Sequence, residues 1–136
     1  MGYHYRARYE CILFFEKGKR KLHNLGIADI LEAPRISGGY PAEKPVVVSQ
    51  TLITQSTEPG ALVIDPFMGS GSVGVAAVTS GRMFAGNDLC LEAVDITRDR
   101  LRGAGAIELI AGAAAPVDSI SQGQLGLAGP AGGGAG

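Results

Sequence analysis

Two short apolar runs, each ending in an acidic residue, predict neighbouring strands of one sheet. The runs cover residues 61–65 and 82–88, and they end in Asp65 and Asp88. A short apolar run with an acid at its end is typical of the carboxyl edge of a parallel strand, which is buried on both faces.

Helical spacing follows each predicted strand and also precedes the first one. Residues 72–80 are predicted to form a helix of small residues, and residues 92–102 a second helix. Pro45 suits the first turn of an earlier helix that continues to Ser56, because its missing N–H is not needed there. The order strand, glycine turn, helix, strand, helix predicts an α/β fold with a parallel sheet of the Rossmann type.

The two ends of the chain depart from this pattern. Residues 9–16 are apolar and aromatic-rich and predict a buried strand, whereas residues 21–43 show no sustained period and predict a loop. Over residues 103–136, Gly and Ala supply more than half of the positions, so little large side-chain surface can offset the entropy of ordering. We therefore expect one domain over residues 1–102, followed by a weakly ordered tail over residues 103–136.

The formal net charge of −1 neither favours nor excludes a nucleic-acid partner. The distribution is uneven, because residues 1–21 carry a basic excess that can meet phosphate. A solvated surface is the alternative interpretation. The basic side chains are those of Arg6, Arg8, Lys17, Lys19, Arg20 and Lys21.

Cysteine usage predicts neither a metal site nor a disulfide framework. Cys11 and Cys90 lie far apart, and His4 and His23 are the only histidines that could join them as ligands. The first residues are not those of a signal peptide, and no apolar stretch reaches transmembrane length. We expect a protein of the reducing cytoplasm.

Residues 65–72, the glycine loop, follow a predicted strand and open a predicted helix. Glycines let the backbone turn sharply and let a ligand approach, and the helix start offers free N–H groups. Asp88 ends the next strand, where a carboxylate commonly accepts hydrogen bonds from ribose hydroxyls. Residues 69–74 also match the G-x-G-x-x-G fingerprint, although a glycine turn needed only for tight packing gives the same match. Together these features favour an adenosine-containing cofactor.

Residues 65–72 resemble the D-P-F-x-G-S-G-[ST] cofactor motif of DNA N6-adenine and N4-cytosine methyltransferases. Residues 43–45 are similar to the Lys-Pro motif that precedes it in the subclass with permuted motif order, and residues 12–18 to a strand late in the catalytic half. Residues 86–88 resemble the family's G-[IL]-[DE] step, with Asn87 in place of an aliphatic residue. The resemblance implies a partial Rossmann-like methyltransferase fold with parallel strands, flanking helices and an incomplete sheet.

The resemblance implies a pocket for S-adenosylmethionine. Asp88 would bind the ribose hydroxyls, and Asp65 would help to hold the amino-acid portion. The backbone around Phe67, Gly69 and Gly71 would border the methionine end. The full set of cofactor-binding residues implied in this way is Lys44, Pro45, Asp65, Pro66, Phe67, Gly69, Gly71, Ser72 and Asp88.

Three of these side chains have a structural alternative. Asp65 could cap a loop or helix, and Asp88 could cap the helix that follows it. Lys44 could be a solvated surface charge.

The resemblance also implies a part that these residues lack. The family's catalytic motif, [DNS]-P-P-[YFW], holds the flipped base and its exocyclic amine, and it precedes the cofactor motif in the permuted order. No two prolines are adjacent in this chain, so the motif is absent. We expect the donor-binding part of a DNA amino-methyltransferase, with DNA as partner and adenine N6 or cytosine N4 as target.

Two other functions remain open at this point. One is a non-catalytic module that binds S-adenosylmethionine or complements a partner. The other is a dinucleotide-binding fragment of an oxidoreductase, although the presence of Lys44-Pro45 and Pro66-Phe67 disfavours it. Because central strands of the family's sheet would be missing, strand edges would be exposed. We therefore expect a homo-oligomer or a complementing catalytic subunit.

Overall fold

The computed structural model describes residues 8–108, which form three helices and two strands in alternating order. The elements are α1 (Val46–Ser56), β1 (Leu62–Asp65), α2 (Ser72–Thr79), β2 (Met83–Gly86) and α3 (Leu91–Gly103). Each of these elements was predicted from the sequence, and the predicted strand–helix alternation is confirmed.

The two strands form a parallel pair in which Leu62 lies opposite Met83 and Asp65 lies opposite Gly86. A parallel pair needs a crossover connection, and α2 supplies it. The carboxyl ends of both strands therefore meet at one edge of the sheet. The loops that carry the predicted site residues begin at this edge.

The core lies between α1, α2 and one face of the sheet. Ile53 of α1 and Ala76 and Ala77 of α2 are buried, and Val63 and Phe84 from the two strands pack against them. The small residues of α2 allow this close approach. A Cβ on Gly74 would lie 2.7 Å from a ring carbon of Phe84, so α2 contacts the sheet directly through its backbone.

The opposite face of the sheet is largely uncovered in the described part of the chain. Successive strand residues point to opposite faces, and Leu62, Ile64 and Met83 are 51%, 67% and 56% exposed. Parallel sheets are normally covered on both faces. This apolar face is consistent with a sheet that forms only part of a larger fold.

The predicted buried strand over residues 9–16 is wrong. This segment has no regular secondary structure, and its apolar side chains are exposed, with Leu13 at 76% and Phe15 at 84%. A strand requires a neighbour that pairs with its backbone groups. Within residues 8–108, only β1 and β2 form a sheet, and they pair with each other.

The predicted loop over residues 21–43 is confirmed as irregular, but its start is anchored to α1. The backbone N–H of His23 donates to the Gln55 carbonyl at 3.0 Å. The backbone N–H of Asn24 donates to the Gln55 side-chain oxygen at 2.9 Å. Gln55 is buried, so the loop begins from a fixed position.

Parts of two predictions lie outside the described residues. These are Arg6 and residues 109–136 of the predicted tail. The described start of the tail folds back on α3, where Glu108 contacts Arg98 at 3.1 Å and Arg102 at 3.2 Å. The division at residue 103 stays a prediction.

Among residues 8–108, no helix combines the length and the apolar character needed to cross a membrane. The same residues contain no group of three or more His, Cys, Asp or Glu side chains that could bind a metal ion. Cys11 and Cys90 are both free and exposed.

The contact between Gly74 and Phe84 predicts that Gly74→Ala destabilises the fold by about 1–3 kcal/mol, because the added methyl overpacks the helix–sheet contact. Thermal unfolding measures this change. Gly103→Ala, at the end of α3 where a Cβ meets no atom within 4 Å, is the matched control and should not lower stability. Equal stability of the two variants would contradict the packing described above.

Candidate functional site

The candidate site lies where the loops that follow β1 and β2 meet. The parallel pairing continues past the strands, since Asn87 N–H donates to the Asp65 carbonyl at 3.0 Å. In turn, Met68 N–H donates to the Asn87 carbonyl at 3.0 Å. The glycine loop is thereby held against Asn87, and the acidic residues that end the two predicted strands lie in the two segments that meet here.

Asp88 connects the two loops through its carboxylate. Its Oδ2 accepts a hydrogen bond from Gly69 N–H at 2.9 Å, and its Oδ1 accepts one from Cys90 N–H at 2.9 Å. The hydrogen bonds from Cys90 and then Gly69 hold the pKa of Asp88 below its usual value, outweighing the opposing effect of burial. The predicted alternative that Asp88 caps α3 is wrong, because the residue before the helix is Cys90 and no side chain makes a capping hydrogen bond there. Each carboxylate oxygen still has acceptor capacity for a second donor.

Asp65 bonds within its own loop, where its Oδ1 accepts a hydrogen bond from Phe67 N–H at 3.0 Å. This contact matches the capping alternative for Asp65. The Phe67 ring is 84% exposed and Pro66 is also exposed, whereas Met68 is buried. Residues 65–67 therefore form the outer rim of the glycine loop, and Met68 anchors it.

The glycines of the loop have different surroundings. Gly69 has φ +51°, and the nearest atom to an added Cβ would be a Tyr40 ring carbon at 3.8 Å. Gly71 has φ +79°, and an added Cβ would lie 2.6 Å from the Thr97 side chain. Gly69 therefore leaves room where a side chain would stand, whereas Gly71 permits close packing of the loop on α3. Of the two interpretations of the fingerprint over residues 69–74, packing accounts for Gly71 and Gly74.

Ser72 begins α2, directly after the positive-φ residue Gly71. Its hydroxyl is buried and has no hydrogen-bond partner among the described residues. The first N–H groups of a helix carry a partial positive charge and have no partner within the helix. The loop therefore ends beside a place that suits an anionic group.

The structure places Lys44 and Pro45 at the start of α1. Pro45 is the residue before the helix rather than its first residue, with φ −60° and ψ 126°. The Lys44 ammonium pairs with the Glu10 carboxylate at 2.6 Å, and both side chains are more than half exposed. Among the hydrogen bonds and ion pairs within residues 8–108, none joins Lys44 to the glycine loop.

Sequence reasoning missed Tyr40, which lies over the open side of Gly69. Partial burial, followed by the proximity of Cys90 and Asp88, raises the pKa of the Tyr40 hydroxyl. The ring therefore lies beside Gly69, whose N–H donates to Asp88. No local pattern marks this residue, because residues 21–43 show only an irregular loop.

Sequence reasoning also missed two side chains of α3 that hold the glycine loop. Thr97 Oγ1 donates to the Gly69 carbonyl at 2.8 Å. The Arg100 guanidinium donates to the Ser70 carbonyl at 2.8 Å and to its hydroxyl at 3.0 Å. The sequence signal was the helical spacing of Ala93, Thr97 and Arg100, which places them on one face of α3. In the structure Thr97 is 2% exposed. A polar residue on a buried helix face needs a hydrogen-bond partner.

The contacts of Asp88 predict a pH dependence of the loop. Because the folded-state pKa lies below the unfolded value, the stabilisation is fully present above the unfolded pKa. It is lost as the pH falls through the folded value. NMR titration of the Asp88 carboxyl should give a midpoint below the usual aspartate value, and the Gly69 amide shift should follow that midpoint. A midpoint at or above the usual value, or a Gly69 amide insensitive to it, would contradict the assignment.

Comparison with known proteins agrees with the resemblance found in the sequence. The family described as DNA methylase matches residues 23–99. The putative methylase YubD of Escherichia coli (strain K12) is 44% identical over 84 residues, which cover 60% of this chain and 37% of YubD. The type II methyltransferase M2.DpnII of Streptococcus pneumoniae is 42% identical over 65 residues, covering 48% of this chain and 24% of that protein.

A solved structure supports the same fold. The crystal structure of the M1.HpyAVI–SAM complex matches with a TM-score of 0.52 at 27% identity, covering 60% of this chain and 43% of that chain. The described residues thus form part of a Rossmann-like methyltransferase fold, and the chain spans little more than a third of its curated relatives at most. Since the family match covers more than half of its residues, this chain belongs to the DNA methylase family.

Proposed function

We propose that this chain is the donor-binding part of a DNA methyltransferase that transfers a methyl group from S-adenosylmethionine to adenine N6 or cytosine N4. Family membership supports methyl transfer to DNA. The similarity to a methyltransferase that was crystallised with SAM supports the donor.

The observation that carries the proposal is the position of the Asp88 carboxylate. It lies at the carboxyl end of β2, beside the glycine loop, and two backbone N–H groups fix its orientation. Its lowered pKa keeps it charged at neutral pH. A fixed carboxylate with free lone pairs is a suitable acceptor for the two hydroxyls of a ribose. We propose that Asp88 binds the ribose of the donor.

The glycine loop fits the other end of the donor. Gly69 leaves room beside the loop where a side chain would stand, and the start of α2 at Ser72 suits a carboxylate, with one buried hydroxyl lacking a partner among the described residues. When bound, S-adenosylmethionine supplies an activated methyl group on a sulfonium. In this proposal Asp65 faces the amino group, and Phe67 borders the methionine end.

The remaining residues implied by the resemblance are proposed to shape the site rather than to contact the ribose. Pro66 and Gly71 shape the glycine loop, Gly71 by allowing it to pack on Thr97. Lys44 and Pro45 precede α1, and their proposed place beside the same pocket rests on the resemblance. The Lys44 ammonium pairs with the Glu10 carboxylate at 2.6 Å.

DNA is the proposed substrate, with the base-binding motif supplied by residues outside this chain. The sequence contains no adjacent prolines, and the family's catalytic motif requires them. The uncovered sheet face formed by Leu62, Ile64 and Met83 offers a contact for a complementing catalytic part or for a second copy. Basic residues near the start of the chain would contact phosphate, and the reaction would take place in the cytoplasm. Those within the described part are Arg8, Lys17, Lys19, Arg20 and Lys21.

The alternative is a module that binds S-adenosylmethionine without turnover. The same donor site supports it, and the missing Pro-Pro motif favours it over activity of this chain alone. The two functions predict different outcomes for one experiment, an assay of methyl transfer to DNA. Only the first predicts methyl transfer to DNA when the chain is combined with a polypeptide that carries the catalytic motif.

Calorimetric titration of the full chain with S-adenosylmethionine tests the donor site. The wild-type chain should bind, and Asp88→Asn should weaken binding at least about tenfold, because a charged acceptor for the ribose is lost. Asp99→Asn is the matched control, since Asp99 lies on the surface of α3 in a pair with Arg102 at 3.4 Å. This variant should bind as the wild type does.

Circular dichroism of each variant shows that the fold is retained. Absence of binding by a folded wild-type chain, or equal affinity of Asp88→Asn and the wild type, would contradict the proposed donor site. A parallel titration with NAD should show no binding, and a preference for NAD would identify a dinucleotide site instead.

A further inference from the structure

Arg100 of α3 connects the glycine loop to the turn that precedes α1. Its Nη1 lies 2.8 Å from the Ser70 carbonyl oxygen and 2.8 Å from Glu43 Oε1. Three segments that are distant in sequence therefore meet at one guanidinium group. We call Glu43 and Arg100 the Glu43–Arg100 pair.

Glu43 belongs to the turn that carries Tyr40. Glu43 N–H donates to the Tyr40 carbonyl at 3.0 Å, and Ala42 between them has φ +60°. A Cβ on Gly39 would lie 2.5 Å from Glu43 Oε2, so the carboxylate packs directly against the backbone of this turn. Glu43 and Tyr40 therefore belong to one turn, and the Glu43 carboxylate packs against the backbone of that turn.

The Glu43–Arg100 pair differs from the other ion pairs of residues 8–108 in its burial. The side chains of Glu43 and Arg100 are 13% and 28% exposed. In the surface pair of Arg98 with Asp95, the corresponding values are 41% and 73%. Exposed pairs contribute little, whereas removal of one partner from a shielded pair leaves the other charge without compensation. Removal of either side chain should therefore destabilise the contact between the segments that the pair joins.

Arg100 and Thr97 together fix the direction of two successive peptide groups of the loop. Thr97 holds the Gly69 carbonyl and Arg100 holds the Ser70 carbonyl, both toward α3. The C=O and N–H of a trans peptide point in opposite directions, so the Ser70 N–H points away from α3. By the same geometry the Gly71 N–H points away from α3, and it donates to the Met68 carbonyl at 2.8 Å. The Gly69 N–H belongs to the preceding peptide group and donates to Asp88 at 2.9 Å.

We propose that Glu43 and Arg100 are positioning residues of the donor site. Through the Ser70 carbonyl the pair sets the orientation of the Ser70–Gly71 peptide group, and it stabilises the turn that carries Tyr40. It thereby determines donor affinity without itself contacting the donor. This inference rests on the proposed function, because it assigns the pair a role at the S-adenosylmethionine site.

A double-mutant cycle on the full chain tests the proposal. Glu43→Gln, Arg100→Gln and the combined variant are titrated with S-adenosylmethionine by calorimetry. Each single substitution should weaken binding about tenfold, and the combined variant should be little weaker than either single one, because the two residues act as a unit. Arg100→Lys keeps the positive charge and should recover part of the affinity. Arg102→Gln removes an exposed arginine of the same helix and should bind as the wild type does.

A second readout comes from amide NMR spectra of the ligand-free variants. The Ser70 and Gly71 amide signals should move in Glu43→Gln and in Arg100→Gln, and they should stay in place in Arg102→Gln. Unchanged affinity and unchanged amide signals in folded variants would overturn the proposal, as would fully additive effects in the cycle. If the wild-type chain does not bind S-adenosylmethionine, the proposed function fails. Unmoved amide signals would then separately refute control of the loop by the pair, and moved signals would support it.

Discussion

The carboxylate of Asp88 joins the two halves of the candidate site. It accepts hydrogen bonds from Gly69 N–H and Cys90 N–H, so it ties the loop after β1 to the start of α3. This contact is possible because parallel strands end at the same edge, where Asp65 lies opposite Gly86. The order of the elements along the chain thus brings the glycine loop and the acidic residue together. The backbone N–H groups then orient the carboxylate and keep it charged.

Close packing of α2 is the second constraint on the site. Gly74 lies against Phe84, and Gly71 lies against Thr97, in each case with no room for a Cβ. These glycines allow the loop and helix to pack closely, whereas Gly69 leaves room where a side chain would stand. The glycine fingerprint over residues 69–74 therefore combines two requirements. Gly71 and Gly74 allow close packing, and Gly69 leaves room beside the loop. Within the described residues only one face of the sheet is packed, because the face around Ile64 is uncovered.

Local patterns in the sequence were sufficient for most of the fold and for part of the site. The apolar runs before Asp65 and Asp88 predicted both strands, and the alternation of strands and helices predicted their parallel pairing. The Glu43–Arg100 pair was beyond such reasoning, because its members lie far apart in sequence and neither stands in a local pattern that names its partner. Residues 9–16 show the reverse case. Their composition favours a strand, but a strand forms only where a neighbouring edge is available.

The central claim is that the described fold presents a donor site built around Asp88. A crystal structure of the full chain with S-adenosylmethionine tests it most directly. Both ribose hydroxyls should lie within hydrogen-bond distance of the Asp88 carboxylate, with the methionine end at the glycine loop beside the start of α2. A donor bound elsewhere on the chain, or bound at the loop without contact to Asp88, would contradict it.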